Sequence, residues 1–253
     1  MQTCSRSVHV LLALAAILLA ACVETTTVAT DGDRAATPFE AAIERLGHRL
    51  DLPAEGKAII VNVPHFELIA VEDGNPVLRS GIIVGTPANP TPLIDTYTSR
   101  VTFRPTWRPT PDMIASGEYE DRVWPPGLSN PLGLAAIRLE PGLLVYLHDT
   151  NQRHLFDRGH RALSHGCIRV ERWDEVIAWL LGWEPARVRA RANGPGTDNV
   201  PAPRVPVFIR YMRAFPGADG RVLRYPDVYG LDGPGENDLR LTTADAPLGC
   251  VPP

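Results

Sequence analysis

Short apolar runs separated by turn residues make up most of the chain after about residue 56, and this pattern predicts strands rather than long helices. Apolar runs at 58–63, 67–71 and 77–84, with a turn at Asp73-Gly74-Asn75-Pro76, predict a meander of three antiparallel strands. Further strands are predicted at 96–103, at 143–147 with His148 at its end, at 205–211, and at 222–225 as a partner of 205–211 across the turn Asp219-Gly220.

Two segments have apolar residues at helical spacing and predict helices, one at 173–183 and a shorter amphipathic one at 39–50. Between the strands, residues 109–131 contain five prolines and little periodicity. We expect this excursion to be exposed, because long ordered loops of this kind often form lids or binding loops.

The composition agrees with a mainly β fold that is rich in loops. The 253 residues include 25 Pro and 21 Gly, which disfavour long helices because Pro lacks a backbone donor and Gly lowers helix propensity. The formal net charge is −4, whereas nucleic-acid-binding proteins concentrate positive charge on one face. A nucleic-acid partner is therefore not expected.

The N-terminus predicts export and lipidation. Arg6 precedes an apolar run at 10–21 that suits a secretory signal and is short for a membrane-spanning helix. The run ends in Leu19-Ala20-Ala21-Cys22, which resembles the lipobox of bacterial lipoproteins. We therefore predict a lipid anchor at Cys22 on the periplasmic side of the envelope, with the outer membrane slightly favoured because Val23 is not Asp. An ordinary signal peptide, with Cys22 incidental, is the alternative.

The predicted organisation follows from these patterns: a lipoprotein signal peptide at 1–21, the lipidated N-terminus and a flexible tether at 22–38, a helical lead-in at 39–55, the main domain at 56–230, and a tail at 231–253. The segment 24–36 is polar, so it cannot bury enough surface to fold. Once Cys4 is removed with the signal and Cys22 is lipidated, two cysteines remain, Cys167 and Cys250.

The residues around Cys167 indicate a nucleophile. A thiol attacks as the thiolate, and a nearby His either takes its proton or stabilises its charge. Two candidates are present, His165, on the same face of an extended segment, and His148, which a hairpin-like return would bring beside the thiol. Gly166 lets the backbone approach a substrate, where the amide of Cys167 can face an oxyanion.

Three other interpretations of this cluster remain open from the residues alone. The first two are that Cys167 is a small buried hydrophobe and that it forms a disulfide with Cys250. A zinc site is the third, since imidazole and thiolate are zinc ligands, but the spacings match no recognised zinc pattern and no metal is predicted. Its candidate ligands are His148, His154, His160, His165 and Cys167.

Two motifs resemble the signature of the L,D-transpeptidase catalytic (YkuD) domain, His-Gly-Thr followed by Ser-His-Gly-Cys-[Ile/Val]-Arg. They are His148-Asp149-Thr150, where Asp replaces the commoner Gly, and the run 164–170, which reads Ser-His-Gly-Cys-Ile-Arg-Val. The similarity extends over roughly 58–229 and is greatest to the larger, murein cross-linking branch, although no peptidoglycan-binding module precedes the domain. The resemblance implies a bent β-sandwich or partly closed barrel.

The resemblance also implies an activity. By this resemblance Cys167 would be the nucleophile and His148 its base, and no cofactor would be needed. The enzyme attacks the carbonyl between residues three and four of a peptidoglycan stem tetrapeptide, releases D-Ala, and passes the acyl group to an amine of a second stem peptide. Lesser candidates for substrate or oxyanion contacts are Tyr146, Ser164, His165, Gly166 and Arg169, and Trp107 and Trp124 are candidates for a substrate wall.

Two other functions compete with cross-linking. Hydrolysis by the same acyl-enzyme, as an L,D-carboxypeptidase or endopeptidase, would use every motif residue. A non-catalytic wall-binding lipoprotein would keep the fold but have no need of the intact pair Cys167 and His148. In each case the expected partners are peptidoglycan stem peptides and, through Cys22, a membrane, and the protein is expected to be a monomer.

Overall fold

The structure is a computed structural model that describes residues 34–140 and 142–231. The predicted signal peptide, Cys22, most of the tether, Cys250 and nearly all of the predicted tail lie outside the described residues. Within those two ranges, no helix is both long and apolar enough to cross a membrane.

The described residues are mainly β, with short helices. The strands are β1 (Lys57–Asn62), β2 (Glu67–Glu72), β3 (Asn75–Gly85), β4 (Asp95–Phe103), β5 (Ala135–Leu139), β6 (Tyr146–His148), β7 (Ala162–Ser164), β8 (Ile168–Val170), β9 (Asp198–Pro201), β10 (Pro206–Arg210), β11 (Ala214–Pro216) and β12 (Val222–Arg224). The helices are α1 (Pro38–Arg45), α2 (Pro111–Ala115), α3 (Trp173–Leu181) and α4 (Pro185–Ala192), with a 3-10 helix at Arg153–Asp157.

The sheet closes on itself to form a partly closed barrel. Strands β1, β2 and β3 form the predicted antiparallel meander. The order then runs β3-β8-β6-β5-β4, and β10 completes the ring because it pairs in parallel with β1 and antiparallel with β4. The prediction of a mainly β, partly closed barrel is confirmed.

Alternating side chains of β1 separate two hydrophobic cores. Ile59 and Val61 face the barrel interior, which α3 also covers, whereas Ala58 and Ile60 face a second cluster outside it. This is the period-two burial expected of a strand with apolar contacts on both faces. Helix α1 covers the outer cluster, and its N-terminus is fixed by a capping box of Thr37 and Glu40.

Three predicted elements differ from the structure. The first helix ends at Arg45, before Gly47 with its positive φ of 82°, and not at residue 50. The strand predicted at 143–147 is confined to Tyr146–His148, the residues that pair with β5. The segment 222–225 does not pair with 205–211, because β10 has β1 on one side and β4 on the other; β12 pairs with β11 instead.

Candidate active site

The two chemical motifs lie side by side on neighbouring strands. Strands β6 and β8 are parallel, and Leu147 pairs with Ile168 and His148 with Arg169. The predicted hairpin-like return is therefore wrong, because parallel neighbours need a crossover connection. The 3-10 helix and β7 form that crossover.

A narrow cleft opens beside these strands, with a cavity volume of about 30 Å³. It brings together six of the candidate residues named from the sequence with residues from the excursion. The lining consists of Trp107, Met113, Tyr119, Pro131, Leu132, His148, Ser164, His165, Cys167 and Arg169. A cavity of this volume is far smaller than the 300–1,000 Å³, roughly, of ordinary ligand pockets.

Cys167 lies in the lining of the cleft and is only 2% exposed. It packs in a hydrophobic cluster with Trp107, Leu132 and Tyr146, and its Sγ lies 3.5 Å from the carbonyl oxygen of Leu144. The apolar surroundings limit access of water to the thiol. A disulfide with Cys250 would involve a residue outside the described part of the chain.

A tight turn presents Cys167 to the cleft. The hydroxyl of Ser164 donates to the carbonyl oxygen of Cys167 at 2.6 Å and accepts from the amide of Gly166 at 3.2 Å. Gly166 has a φ of 101°, which L side chains rarely adopt, and its carbonyl oxygen accepts from the hydroxyl of Thr91. Ser164 and Gly166 thus shape the loop that carries the thiol.

His148 is oriented by the backbone. The side chain is buried, and its Nδ1 is hydrogen bonded to the carbonyl oxygen of Asp149. A carbonyl oxygen only accepts, so Nδ1 carries the proton and Nε2 of the neutral ring is the acceptor. This is the tautomer that a general base for a thiol requires.

His165 does not lie on an extended segment with Cys167, because the positive φ of Gly166 turns the chain between them. Both side chains nevertheless line the cleft. The Nε2 of His165 lies 2.9 Å from a carboxylate oxygen of Glu118, a residue of the excursion. This contact holds the excursion over the cleft.

Arg169 and Tyr146 occupy different environments. Arg169 lines the cleft and donates to the side-chain oxygen of Gln152 at 2.7 Å. Tyr146 is buried beneath the cleft in the cluster that contains Cys167, with the guanidinium of Arg138 4.1 Å from its ring centre.

The excursion forms the opposite wall through a group of aromatic rings. Trp107 lies against Tyr119 at 4.9 Å between ring centres and pairs through its backbone with Trp124. Asn130 is fully buried and donates to the carbonyl oxygens of Pro105 and Pro125, which closes the excursion at its base. Trp107, a candidate for a substrate wall, lines the cleft, and Trp124 packs behind it.

Several contacts were not anticipated from the sequence. Met113 and Tyr119 of the excursion and Leu132, directly after it, line the cleft, and Glu118 contacts His165. The sequence of this region has no periodicity that predicts the direction of these side chains. The carboxylate of Asp149 was also missed, although its departure from the commoner Gly was a signal. Within the described ranges, no group of three or more His, Cys, Asp or Glu side chains could hold a metal ion.

Residues 56–209 match the L,D-transpeptidase catalytic domain, YkuD, and this match covers more than half of the chain. The chain therefore belongs to the L,D-transpeptidase family.

Curated relatives and solved structures of the same family were also found. A Haemophilus influenzae protein provisionally named an L,D-transpeptidase is 29% identical over 72% of this chain and 46% of its own length. Probable L,D-transpeptidase YcfS of Escherichia coli K12 is 37% identical over 57% of this chain and 49% of its own. The chain thus spans less than half the length of these relatives.

An L,D-transpeptidase structure from Mycobacterium smegmatis matches 61% of this chain and 58% of its own, with a TM-score of 0.40 and 15% identity. The catalytic domain of the E. faecium enzyme matches 62% of this chain and 98% of its own, with a TM-score of 0.36 and 20% identity.

Proposed function

We propose that this protein is a peptidoglycan L,D-transpeptidase that uses Cys167 as nucleophile and His148 as general base. One observation carries the proposal: the thiol and a histidine whose Nδ1 is bound to a backbone carbonyl line the same cleft, in a chain that belongs to this family. The family acts on peptidoglycan stem peptides, and the donor would be a tetrapeptide cleaved between residues three and four.

The reaction proceeds in two balanced steps. The thiol proton passes to Nε2 of His148, the sulfur of Cys167 attacks the carbonyl carbon of residue three, and the amide bond to D-Ala breaks as D-Ala takes the proton. An acceptor amine then attacks the thioester, gives a proton back through His148, and leaves an amide cross-link and the free thiol. Exchange of one amide for another needs no ATP.

Supporting roles are assigned to the neighbours of this pair. The backbone amide of Cys167 would stabilise the oxyanion, since Gly166 leaves the turn open to a close-lying substrate. Arg169, in the lining of the cleft, would bind a substrate carboxylate, and Trp107 would contact the peptide.

The chain is proposed to act from a lipid anchor at Cys22 on the periplasmic side of the envelope. Two or more acyl chains are needed for stable attachment, because each buried methylene contributes only about 0.8 kcal/mol. Blocking lipoprotein signal cleavage with globomycin, or Cys22→Ala, should mis-process or release the protein. Unchanged membrane attachment in the Cys22→Ala variant would argue against the anchor.

Product analysis tests the proposed reaction directly. Purified protein is incubated with disaccharide-tetrapeptides, and the products are identified by mass, with the Cys167→Ala variant as the control. Cross-linked dimers that have lost one D-Ala support transpeptidation. Disaccharide-tripeptides alone would indicate carboxypeptidase activity instead, and no product in a preparation with a reactive thiol would favour a non-catalytic wall-binding role.

A further inference from the structure

The carboxylate of Asp149 joins three parts of the structure next to the base. Its side chain is 6% exposed, Oδ2 accepts from the amide of Leu134 at 2.9 Å, and Oδ1 accepts from Arg153 at 2.9 Å. The amide of Asp149 donates to the carbonyl oxygen of Ala135, so both ends of the residue are fixed. The remaining polar group of Asp149 is its own carbonyl, which binds Nδ1 of His148.

The loop that faces this carboxylate is shaped to receive it. Gly133 has a φ of 64°, and a Cβ at that position would lie well under 3.0 Å from the carboxylate of Asp149. The carboxylate therefore packs directly on the backbone of Gly133. The preceding residues Pro131 and Leu132 line the cleft, so the same contact also positions part of the cleft wall.

Arg153 extends the connection to the strand that follows the nucleophile. It donates to the carbonyl oxygen of Glu171 at 2.6 Å in addition to its bond with Asp149. Glu171 directly follows β8, and Asp149 directly follows β6. Arg153 thus bridges the C-terminal ends of two parallel strands: β6, which ends at His148, and β8, which begins directly after Cys167.

Neither Asp149 nor Arg153 belongs to the lining of the cleft. Both carboxylate oxygens are already engaged, one by an amide and one by a guanidinium, so a direct acid–base role for this side chain is not supported. Asp149 and Arg153 must therefore affect the chemistry through the backbone carbonyl of Asp149, which binds His148. Small changes in such orienting partners alter rates strongly, because the wrong histidine tautomer cannot accept the thiol proton.

We propose that the Asp149 carboxylate and Arg153 form a clamp that positions the His148 base, by fixing the backbone carbonyl that selects its tautomer and by aligning β6 with β8. Both are positioning residues, and their role in catalysis rests on the proposed function of Cys167 and His148. The clamp acts on the pair formed by the thiol and the imidazole, so its effect does not depend on the identity of the acceptor.

Asp149→Asn and Arg153→Gln test the clamp. Asn keeps an oxygen for the amide of Leu134 but loses the ion pair, and Arg153 is half exposed, so its replacement should not prevent folding. The readout is the rate at which iodoacetamide alkylates Cys167, measured as a function of pH. The control is Asp174→Asn, which breaks the ion pair with Arg189 away from the cleft.

In both clamp variants, iodoacetamide should alkylate Cys167 about tenfold more slowly at neutral pH, and the alkylation rate should reach half its maximum at a higher pH than in the wild type. The control variant should match the wild type. Arg153→Lys should recover part of the rate, because an ammonium keeps the charge but cannot reproduce both hydrogen bonds of the guanidinium. On tetrapeptide, the loss should appear in kcat more than in KM.

Wild-type pH profiles in both variants, with only a lower free energy of unfolding, would overturn the clamp and leave a purely structural ion pair. The outcome is independent of the proposed reaction, because alkylation needs no peptide. A clamp effect in a protein that forms no cross-links would refute transpeptidation alone, and cross-linking without a clamp effect would refute the clamp alone.

Discussion

The side chain of His148 is hydrogen bonded through Nδ1 to the backbone carbonyl oxygen of the next residue, Asp149. A backbone acceptor orients the ring without adding a charge beside it, in contrast to the carboxylate of a Ser-His-Asp triad. The ring nitrogen that remains as acceptor is Nε2, in a side chain that shares the cleft with Cys167. Within this ring, Nε2 is therefore the nitrogen that can accept the proton of the thiol.

His148→Ala should lower the rate of acylation of Cys167 by about 10²–10⁴-fold, the usual contribution of a positioned acid–base group. The rate is measured from the mass shift of the protein with a carbapenem or a tetrapeptide donor. His165→Ala is the matched control, because His165 lines the same cleft but pairs with Glu118. A large loss in the control with little loss in His148→Ala would exchange their roles.

Cys167→Ser should abolish acylation and leave the fold nearly unchanged. The hydroxyl is almost isosteric with the thiol and can keep the contact with the carbonyl oxygen of Leu144, but it is much harder to ionise. The free energy of unfolding in urea should change by about 1 kcal/mol or less. Cross-linking by a folded Ser variant would place the nucleophile elsewhere.

Glu118→Gln should make Cys167 more accessible. The contact between Glu118 and His165 closes the excursion over a small cavity, and both side chains are partly exposed, so the pair contributes only about 0–1 kcal/mol to stability. Alkylation of Cys167 by iodoacetamide should therefore become about two- to fivefold faster with an almost unchanged unfolding midpoint. In the control Glu120→Gln, which makes the same change two residues further along, Cys167 should be alkylated at the wild-type rate.

The sequence predicts the elements of this fold better than their arrangement. The meander β1–β3 follows from apolar runs and a turn that lie next to one another in the chain. The short strands β6 and β8 have three residues each, which is too few for a pattern, and their parallel pairing depends on closure of the whole barrel. For the same reason the partner of β12 was assigned wrongly.

Some residues of the candidate site could be predicted from the sequence, and others could not. Cys167 and His148 can be named from the sequence because thiol and imidazole chemistry restricts the residue types, and both line the cleft. Glu118 and Tyr119 come from the excursion, where the proline-rich sequence does not indicate which side chains face the cleft. The clamp of Asp149 and Arg153 likewise depends on the tertiary fold, since in the sequence each side chain alone is typical of an exposed charge.

A partly buried histidine between β1 and β2, outside the lining of the cleft, offers a test of stability. The ring of His65 stacks on Tyr225 at 4.0 Å between ring centres, and its Nδ1 lies 3.2 Å from Glu67, which is paired with Arg79. Burial, reinforced by the positive charges of Arg79 and Arg161, lowers the pKa of His65 to about 4. Burial also raises the pKa of Glu67, so at neutral pH the imidazole is uncharged beside a poorly solvated carboxylate.

His65→Phe should remove a pH dependence of stability between about pH 6.5 and 4. In this window the unfolded chain binds a proton at His65 that the folded chain does not, so the free energy of unfolding of the wild type decreases as the pH falls. Relative to the variant, which keeps the stacking on Tyr225, the wild type should lose about 2 kcal/mol between pH 7.5 and 5 in urea unfolding. His160→Gln, at an exposed histidine, should keep the wild-type slope. Parallel curves for wild type and His65→Phe would mean that His65 is protonated in the folded protein, paired with Glu67.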